Sequence, residues 1–479
     1  MFDYLKNKYN SIPLQAKASL WFLICGILQN GLNVITLPIF TRLLTTEQYG
    51  LSSTYFAWND LIIVLCTLRL SYGVFDKGMI KYENSRDAFS SCTLGLATTI
   101  SLSMLCVFLI LHKYVESWLG LSFVLCFSLF ASQVVAPSLL FWTSRNKFEF
   151  KYKEFVIVTL LTSIVCVTFN LLSVLLLPFD RGITKILSYQ IVWFFVYLFF
   201  YIYLFRKGKK FYDREIWKYL LKFNLPLIPY FLSTIVLDKA DRIMIDNYCG
   251  KTDVALYSVS YNLGHLMILL TSSLDATITP WLYRRLKEEN FERCKGIIIS
   301  ILVMFMGVAT FFMLLAPEVI RILAAPEYSS AVYIIPSVVC SFFCVMVYGI
   351  VSKIEFYFEK TKIIAFVTVG AALLDIGLNA LLIPRYGYIA AGYTTLASYM
   401  FMALMHMIVA YEIARSHGIH KKIIPWGYVM SLIGGMVIIS IGVNFIYQIT
   451  EIRLAMVLVL LSTMFIFKKK IVMVIKTIK

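Results

Sequence analysis

Residues 237–246 read LDKADRIMID, five charged side chains closing the otherwise apolar segment FNLPLIPYFLSTIV. On a helix advancing about 100° per residue, Asp238, Lys239, Asp241, Arg242 and Asp246 cover about 160° of one side. Asp238 and Arg242 stand at i,i+4, as do Arg242 and Asp246, so pairing within the cluster is expected. A charge in mid-bilayer costs a few kcal/mol or more, so the cluster is expected to face a partner helix or water rather than lipid. Other apolar segments hold one more cation, Arg69, the isolated acids Asp60, Asp275 and Asp375, and the amides Gln29, Asn30 and Asn33. Arginine matches phosphate oxygens well, a buried carboxyl can hold a proton or cation, and amides bond hydroxyls. This is the chemistry of binding and charge movement. The chain has no C-x-x-C pair and no G-x-x-x-x-G-K-[ST] nucleotide loop, so no metal site, disulfide framework or direct use of ATP is expected.

The elements that must carry these groups follow from composition. Hydrophobic residues make up 60% of the chain and charged residues 15%, against about 25% charged in soluble domains. Apolar runs of roughly 20 residues recur throughout, each able to cross a bilayer, and α-helices satisfy the backbone of such runs. Spans are expected near 18–40, 50–74, 88–111, 119–142, 156–178, 183–205, 223–247, 254–281, 296–316, 328–351, 363–384, 387–411, 424–447 and 452–467. The first is read as a retained span, since no small-residue cleavage site follows it. Cys340 and Cys344 could share a helix face, and buried free thiols are the expected state of the cysteines.

The charges orient this layout. With a cytoplasmic N-terminus, most of the 44 Lys and Arg residues fall on the inner loops and ends. Outer loops hold only Arg42, Lys113, Arg181, Lys185, Lys251, Arg321, Arg385 and Arg453, as the positive-inside rule requires. The net charge of +17 is thereby assigned to loops facing an anionic leaflet, and no nucleic-acid partner is expected.

The chain also repeats itself. RLLTTEQYGLSSTY follows the first span and RIMIDNYCGKTDVALYSVSY closes the seventh. Each places Arg at the outer end of a span, then an acidic residue, then a small/aromatic pair opening the next span. Six intervening spans give the halves one orientation, a pattern found in transporters.

LPIFTRLLTTEQYGLSSTY and DKADRIMIDNYCGKTDVALYSVSYN resemble the bacterial polysaccharide repeat-unit flippases (O-antigen, capsule or exopolysaccharide) of the multidrug/oligosaccharidyl-lipid/polysaccharide superfamily. The resemblance implies an all-α polytopic protein of about fourteen transmembrane helices. Two six-helix lobes would be related by a pseudo-two-fold along the membrane normal, with two further C-terminal helices. The domains implied are a lobe at 1–205, a basic cytoplasmic linker at 206–222, a lobe at 223–412, and two helices with a basic tail at 413–479. It further implies a non-enzymatic flippase of the bacterial inner membrane with both termini cytoplasmic. The implied substrate is an undecaprenyl-pyrophosphate-linked oligosaccharide, and a polysaccharide polymerase and chain-length machinery are the implied partners. No cofactor is implied beyond coupling to H+ or Na+.

On that resemblance Arg69, Lys239 and Arg242 become candidate pyrophosphate anchors, and Gln29, Asn30 and Asn33 candidate cavity amides. Asp60, Asp238, Asp241, Asp275 and Asp375, the last with Asn379 one turn on, become candidates for ion coupling or gating. Each has a plainer alternative: ion-paired contacts or a periplasmic gate for the cluster, helix-packing hydrogen bonds for the acids and amides. A peptidoglycan-precursor flippase is the nearest rival, though its first-span cations are missing here. A drug/cation antiporter would carry a first-span acid, also missing. A polymerase or glycosyltransferase would need a large outer loop, and every outer loop is short.

Overall fold

The computed structural model describes residues 13–466, and the basic tail and the side chains of Asn30 and Asn33 lie outside the described residues. Among the described residues the regular structure is helical and no strand occurs. Each expected span overlaps one or more helices, though the one at 50–74 ends at Thr67, and among the described residues twelve helical runs are long and apolar enough to cross a membrane. The chain is an all-α, multi-pass membrane protein.

The chain divides into two compact units, Met1–Leu232 and Ser233–Lys479. In the first, α1 is Leu14–Leu43, α2 Thr46–Thr67, α3 Val74–Lys81, α4 Arg86–Leu119, α5 Phe123–Val135, α6 Pro137–Phe148, α7 Tyr152–Leu176, α8 Arg181–Gly208 and α9 Arg214–Asn224. Helix α10, Ile228–Cys249, carries the boundary between the units. The second unit continues with α11 Lys251–Gly264, α12 Met267–Lys287, α13 Cys294–Leu314, α14 Ala316–Leu323, α15 Ile335–Tyr357, α16 Thr361–Tyr386, α17 Tyr388–Ser416, α18 His420–Ile423, α19 Trp426–Ile446 and α20 Thr450–Ile466.

Local chemistry sets the breaks. Thr45 caps α2 by accepting from the Gln48 amide, and Gln48 reciprocates in a capping box, which satisfies amides that a helix start leaves open. The corresponding junction in the second unit turns at Gly250, whose φ of +91° suits a residue without Cβ. Pro226 lies in the 3₁₀ turn Leu225–Leu227 that separates α9 from α10, since proline cannot donate within a continuing helix. Helix α2 falls short of membrane-span hydropathy because Ser52, Ser53, Thr54, Asn59 and Asp60 interrupt it.

The basic stretch 206–222 is not a bare linker. Asp213 caps α9 by accepting from the amides of Glu215 and Ile216, and Lys210 beside it holds its carboxyl below the usual carboxylate range. Ile216 and Leu220 then join the buried cluster of Phe75, Phe89 and Phe141. In the second unit α15 is the most buried of the span-length helices described. Small residues let its neighbours close on it: a Cβ on Gly264 would meet Val338 at 2.5 Å, and one on Gly392 would meet Ser337 at 2.6 Å. Close packing of this kind replaces the hydrophobic drive that lipid removes.

Candidate functional site

The charged cluster of α10 does not pair as its spacing predicts. Asp246 pairs with Lys251 at 3.2 Å, and Asp238 with its neighbour Lys239 at 3.1 Å. Asp238 also accepts from the Tyr261 hydroxyl at 2.8 Å. Arg242 donates to the Asp238 backbone carbonyl at 2.8 Å, not to either expected carboxylate. Its guanidinium lies over the rings of Tyr261 at 4.6 Å and Tyr257 at 5.8 Å. With 4% exposure, Arg242 is held by cation–π contacts, where a pyrophosphate anchor needs an open face.

Asp241 turns the other way, into the helices. Fully buried, it accepts from Tyr257 Oη on α11, from Thr395 Oγ1 on α17 at 2.8 Å and from Asn379 Nδ2 on α16 at 2.6 Å. The same Asn379 amide reaches Asp375 Oδ2 at 3.2 Å, and its carbonyl oxygen accepts from Thr394 Oγ1. Asp375 is also fully buried, and its Oδ1 has no hydrogen-bond partner. The two carboxylates lie within electrostatic reach of each other. Two buried like charges this close demand a shared proton or a cation between them.

Four helices thus converge on a cage of two carboxylates, one amide, two threonine hydroxyls and the Tyr257 hydroxyl. Among the described residues no group of three or more His, Cys, Asp or Glu could hold a metal ion. Asn379 turns its nitrogen toward both acids, and the Tyr257 and Thr395 hydroxyls donate to Asp241, so the neutral groups offer hydrogens rather than lone pairs and the cage suits a proton shared between the carboxylates better than a metal cation. The buried Asp375 Oδ1 without a partner is the observation that fits such an occupant.

The remaining candidates scatter. Asp275 is not isolated, since it pairs with Lys353 at 2.7 Å. Lys353, read from sequence as a loop cation, belongs to α15 and is 13% exposed. Arg69 is not on a spanning helix: α2 stops at Thr67, and Leu68 and Arg69 turn left-handed with φ of 48° and 50°. Asn224 pins that turn by donating to the Leu68 carbonyl, and Thr67 Oγ1 accepts from the Arg69 amide at 3.2 Å. Asp60 lies within electrostatic range of Arg69. Gln29 donates to Ser163 Oγ on α7 at 3.5 Å, a long helix-to-helix contact.

Sequence reasoning missed several partners. Tyr257 and Tyr261 sit at i,i+4 inside the quoted repeat, a spacing that could have placed both on the face toward α10. The Thr394–Thr395 pair carries no such signal. Lys185 belongs to α8, not to an outer loop, and its ammonium lies over the rings of Phe40 at 4.9 Å and Tyr49 at 4.5 Å.

Comparison with known proteins now places this architecture. Residues 16–286 match the family described as polysaccharide biosynthesis protein. The Lsg locus putative protein 1 of Haemophilus influenzae is 23% identical over 397 residues, 78% of this chain and 92% of that protein. The lipid II flippase MurJ in an inward closed conformation superposes with a TM-score of 0.66 at 14% identity, covering 96% of this chain and 99% of that one. An inward-facing multidrug resistance MATE family transporter of the MOP superfamily gives 0.64 at 16% identity, covering 81% and 96%. The fold is that of these transporters.

Proposed function

The chain belongs to the polysaccharide biosynthesis protein family, and from that premise we propose that it translocates an undecaprenyl-pyrophosphate-linked oligosaccharide from the cytoplasmic to the outer face of the bacterial inner membrane. The family match supports a cargo drawn from polysaccharide biosynthesis, and the transporter fold supports alternating access rather than bond-making. A transporter of this kind hands its cargo to a polymerase outside, and both of its termini are cytoplasmic if the positive-inside pattern governs.

We place ion coupling at the Asp241–Asp375 cage. A proton bound there cancels one of the two negative charges and holds α10, α11, α16 and α17 together. Its loss leaves the acids to repel, which gives one state of the second unit an energetic bias. Lys239, 25% exposed in its side chain, is the cation of the cluster best able to meet a diphosphate. Arg242 positions Asp238 and the two tyrosines.

Deleting the gene in its native bacterium tests the reading. Surface polysaccharide and the lipid-linked repeat unit on the cytoplasmic face are measured together. Loss of surface polymer with a completed repeat unit left on the inner face is expected. Should single repeat units still reach the outer face and only their joining fail, the chain is a polymerase. An unchanged surface polymer contradicts the proposal and leaves a drug or a peptidoglycan precursor as cargo.

A further inference from the structure

Apart from the aspartate cage, the second unit buries one more acid–base pair. Glu355 on α15 and His406 on α17 both have fully buried side chains. His406 Nδ1 stands 2.9 Å from Glu355 Oε1 and 3.0 Å from Oε2. The Tyr348 ring stacks on the imidazole at 5.6 Å. On the far side of the ring His406 Nε2 is buried with no hydrogen-bond partner.

No protonation state satisfies this pair. With a bare carboxylate and a neutral imidazole donating from Nδ1, Nε2 needs no acceptor, but a net negative charge is buried with a single donor. Adding one proton, whether it resides on the carboxyl or the ring, makes the pair neutral. A hydrogen then sits without an acceptor, on Nε2 where the ring is doubly protonated or the carboxyl donates to Nδ1, or on the carboxyl where Nδ1 stays the donor, and this costs on the order of 1–3 kcal/mol. The two states are therefore poised against each other. A water or hydroxyl reaching Nε2 tips the balance, and a histidine is the side chain whose charge changes near neutral pH.

Other charges stand apart from the pair. Of the elements packed on α15, α12 brings Arg284, Arg285 and Lys287 in its last turn and Asp275, already paired with Lys353 of α15 itself. Helix α11 brings Lys251 and Asp253, and His265 just past its end lies against Phe342. Helix α13 contributes Lys295, α16 has Lys362, Asp375 and Arg385, and α17 adds Glu412 and Arg415. The 3₁₀ segment Pro326–Ile334 carries Glu327, and α19 has no charged residue. Among the described residues, the pair's hydrogen-bond and ring contacts are each other and Tyr348.

We propose that Glu355 and His406 form a proton-binding site, taking up one proton from water in one conformation and returning it in another, so that the second unit carries a proton through each transport cycle. An N–H or O–H bond forms on loading and breaks on release, with water as donor and acceptor. The proposal rests on the transport reading above but assigns the proton to a site other than the aspartate cage.

The test uses the purified full chain in phosphatidylethanolamine/phosphatidylglycerol liposomes, read by infrared difference spectroscopy between pH 5 and pH 8. One buried carboxyl–imidazole titration is expected in the wild type. It should vanish in Glu355→Gln and in His406→Gln and persist in Asp241→Asn. In cells, Glu355→Gln should cut surface polymer at least tenfold. An unchanged titration in both variants overturns the proposal, even where gene deletion has confirmed the transport reading. A titration lost in both variants, in a bacterium whose surface polymer survives deletion, keeps the proton site and sinks the transport reading instead. If neither variant folds, ¹⁵N-histidine solid-state NMR of the wild type decides. A solvent-protected imidazole that titrates supports the site, and a protected imidazole fixed across the range overturns it.

Discussion

The first unit buries neutral networks, in which Gln190 donates to the Tyr55 hydroxyl at 2.8 Å, Tyr55 meets Ser128 at 2.9 Å and Gln133 donates to Asn59 at 2.9 Å, while its Lys185 is half-buried over the rings of Phe40 and Tyr49. The second unit buries Asp241, Arg242, Glu355, Asp375, His406 and Arg453. Among the described residues every fully buried Asp, Glu, His, Lys or Arg side chain belongs to the second unit. Neutral networks fix helix packing at modest cost, whereas each buried charge must be paired or neutralised. The two units thus differ in what they bury: neutral networks in the first, acids, a histidine and arginines in the second.

The contrast can be tested by removing one group at a time, beginning with the largest expected effect. Asp241→Ala removes the acceptor shared by Tyr257, Thr395 and Asn379, of which Thr395 keeps the Ala391 carbonyl and Asn379 keeps Asp375, so a loss on the order of 3 kcal/mol is expected, read as a lowered thermal midpoint in detergent. Next, Arg453→Ala should cost about 2 kcal/mol, because Arg453, 3% exposed, donates to the Leu314 carbonyl at 2.9 Å and to Glu318.

The same pair predicts a pH effect. The hydrogen bonds from Arg453 hold the Glu318 carboxyl below the usual carboxylate range. Its contribution is therefore full above the ordinary glutamate value, about 4.3, and is lost as pH falls through the lowered native value. Glu318→Gln should accordingly destabilise at pH 7 and flatten the acid limb of the stability profile. A limb as steep as the wild type's removes this pair from the account.

A smaller effect is expected in the first unit. A Cβ on Gly95 would sit 2.1 Å from the Phe211 carbonyl, so Gly95→Ala should cost about 1–3 kcal/mol by overpacking. Smallest of all, Gln190→Leu should cost about 1 kcal/mol and leave surface polymer near the wild-type level. A first-unit substitution such as Gln190→Leu that abolished export while the protein stayed folded would break the contrast between the units.

Much of the architecture could be read from the chain, because span length and apolarity are properties of short segments. Asp241 and Asp375 were recognisable for the same reason, as acids where acids are costly. Their meeting was not, since Asn379 and Thr395 reach Asp241 across 138 and 154 residues. Spacing within α10 favoured Arg242 with Asp238 and Asp246, yet tyrosines from the next helix took the guanidinium instead. Arg69 looked helical in sequence because the residue that ends α2 there, Asn224, lies 156 positions away. Glu355 hid in a stretch read as the edge of a basic loop, and His406 stood in an apolar span with no local partner.

The central claim is that this chain moves a lipid-linked oligosaccharide with a charge-switching second unit. Reconstituted wild type and Asp241→Asn should be compared for the rate at which undecaprenyl-pyrophosphate-linked oligosaccharide becomes accessible to a membrane-impermeant glycosidase on the opposite face. The account predicts transfer by the wild type and transfer at least tenfold slower by an equally folded Asp241→Asn. Equal rates in the two proteins, or no transfer by the wild type, would contradict it.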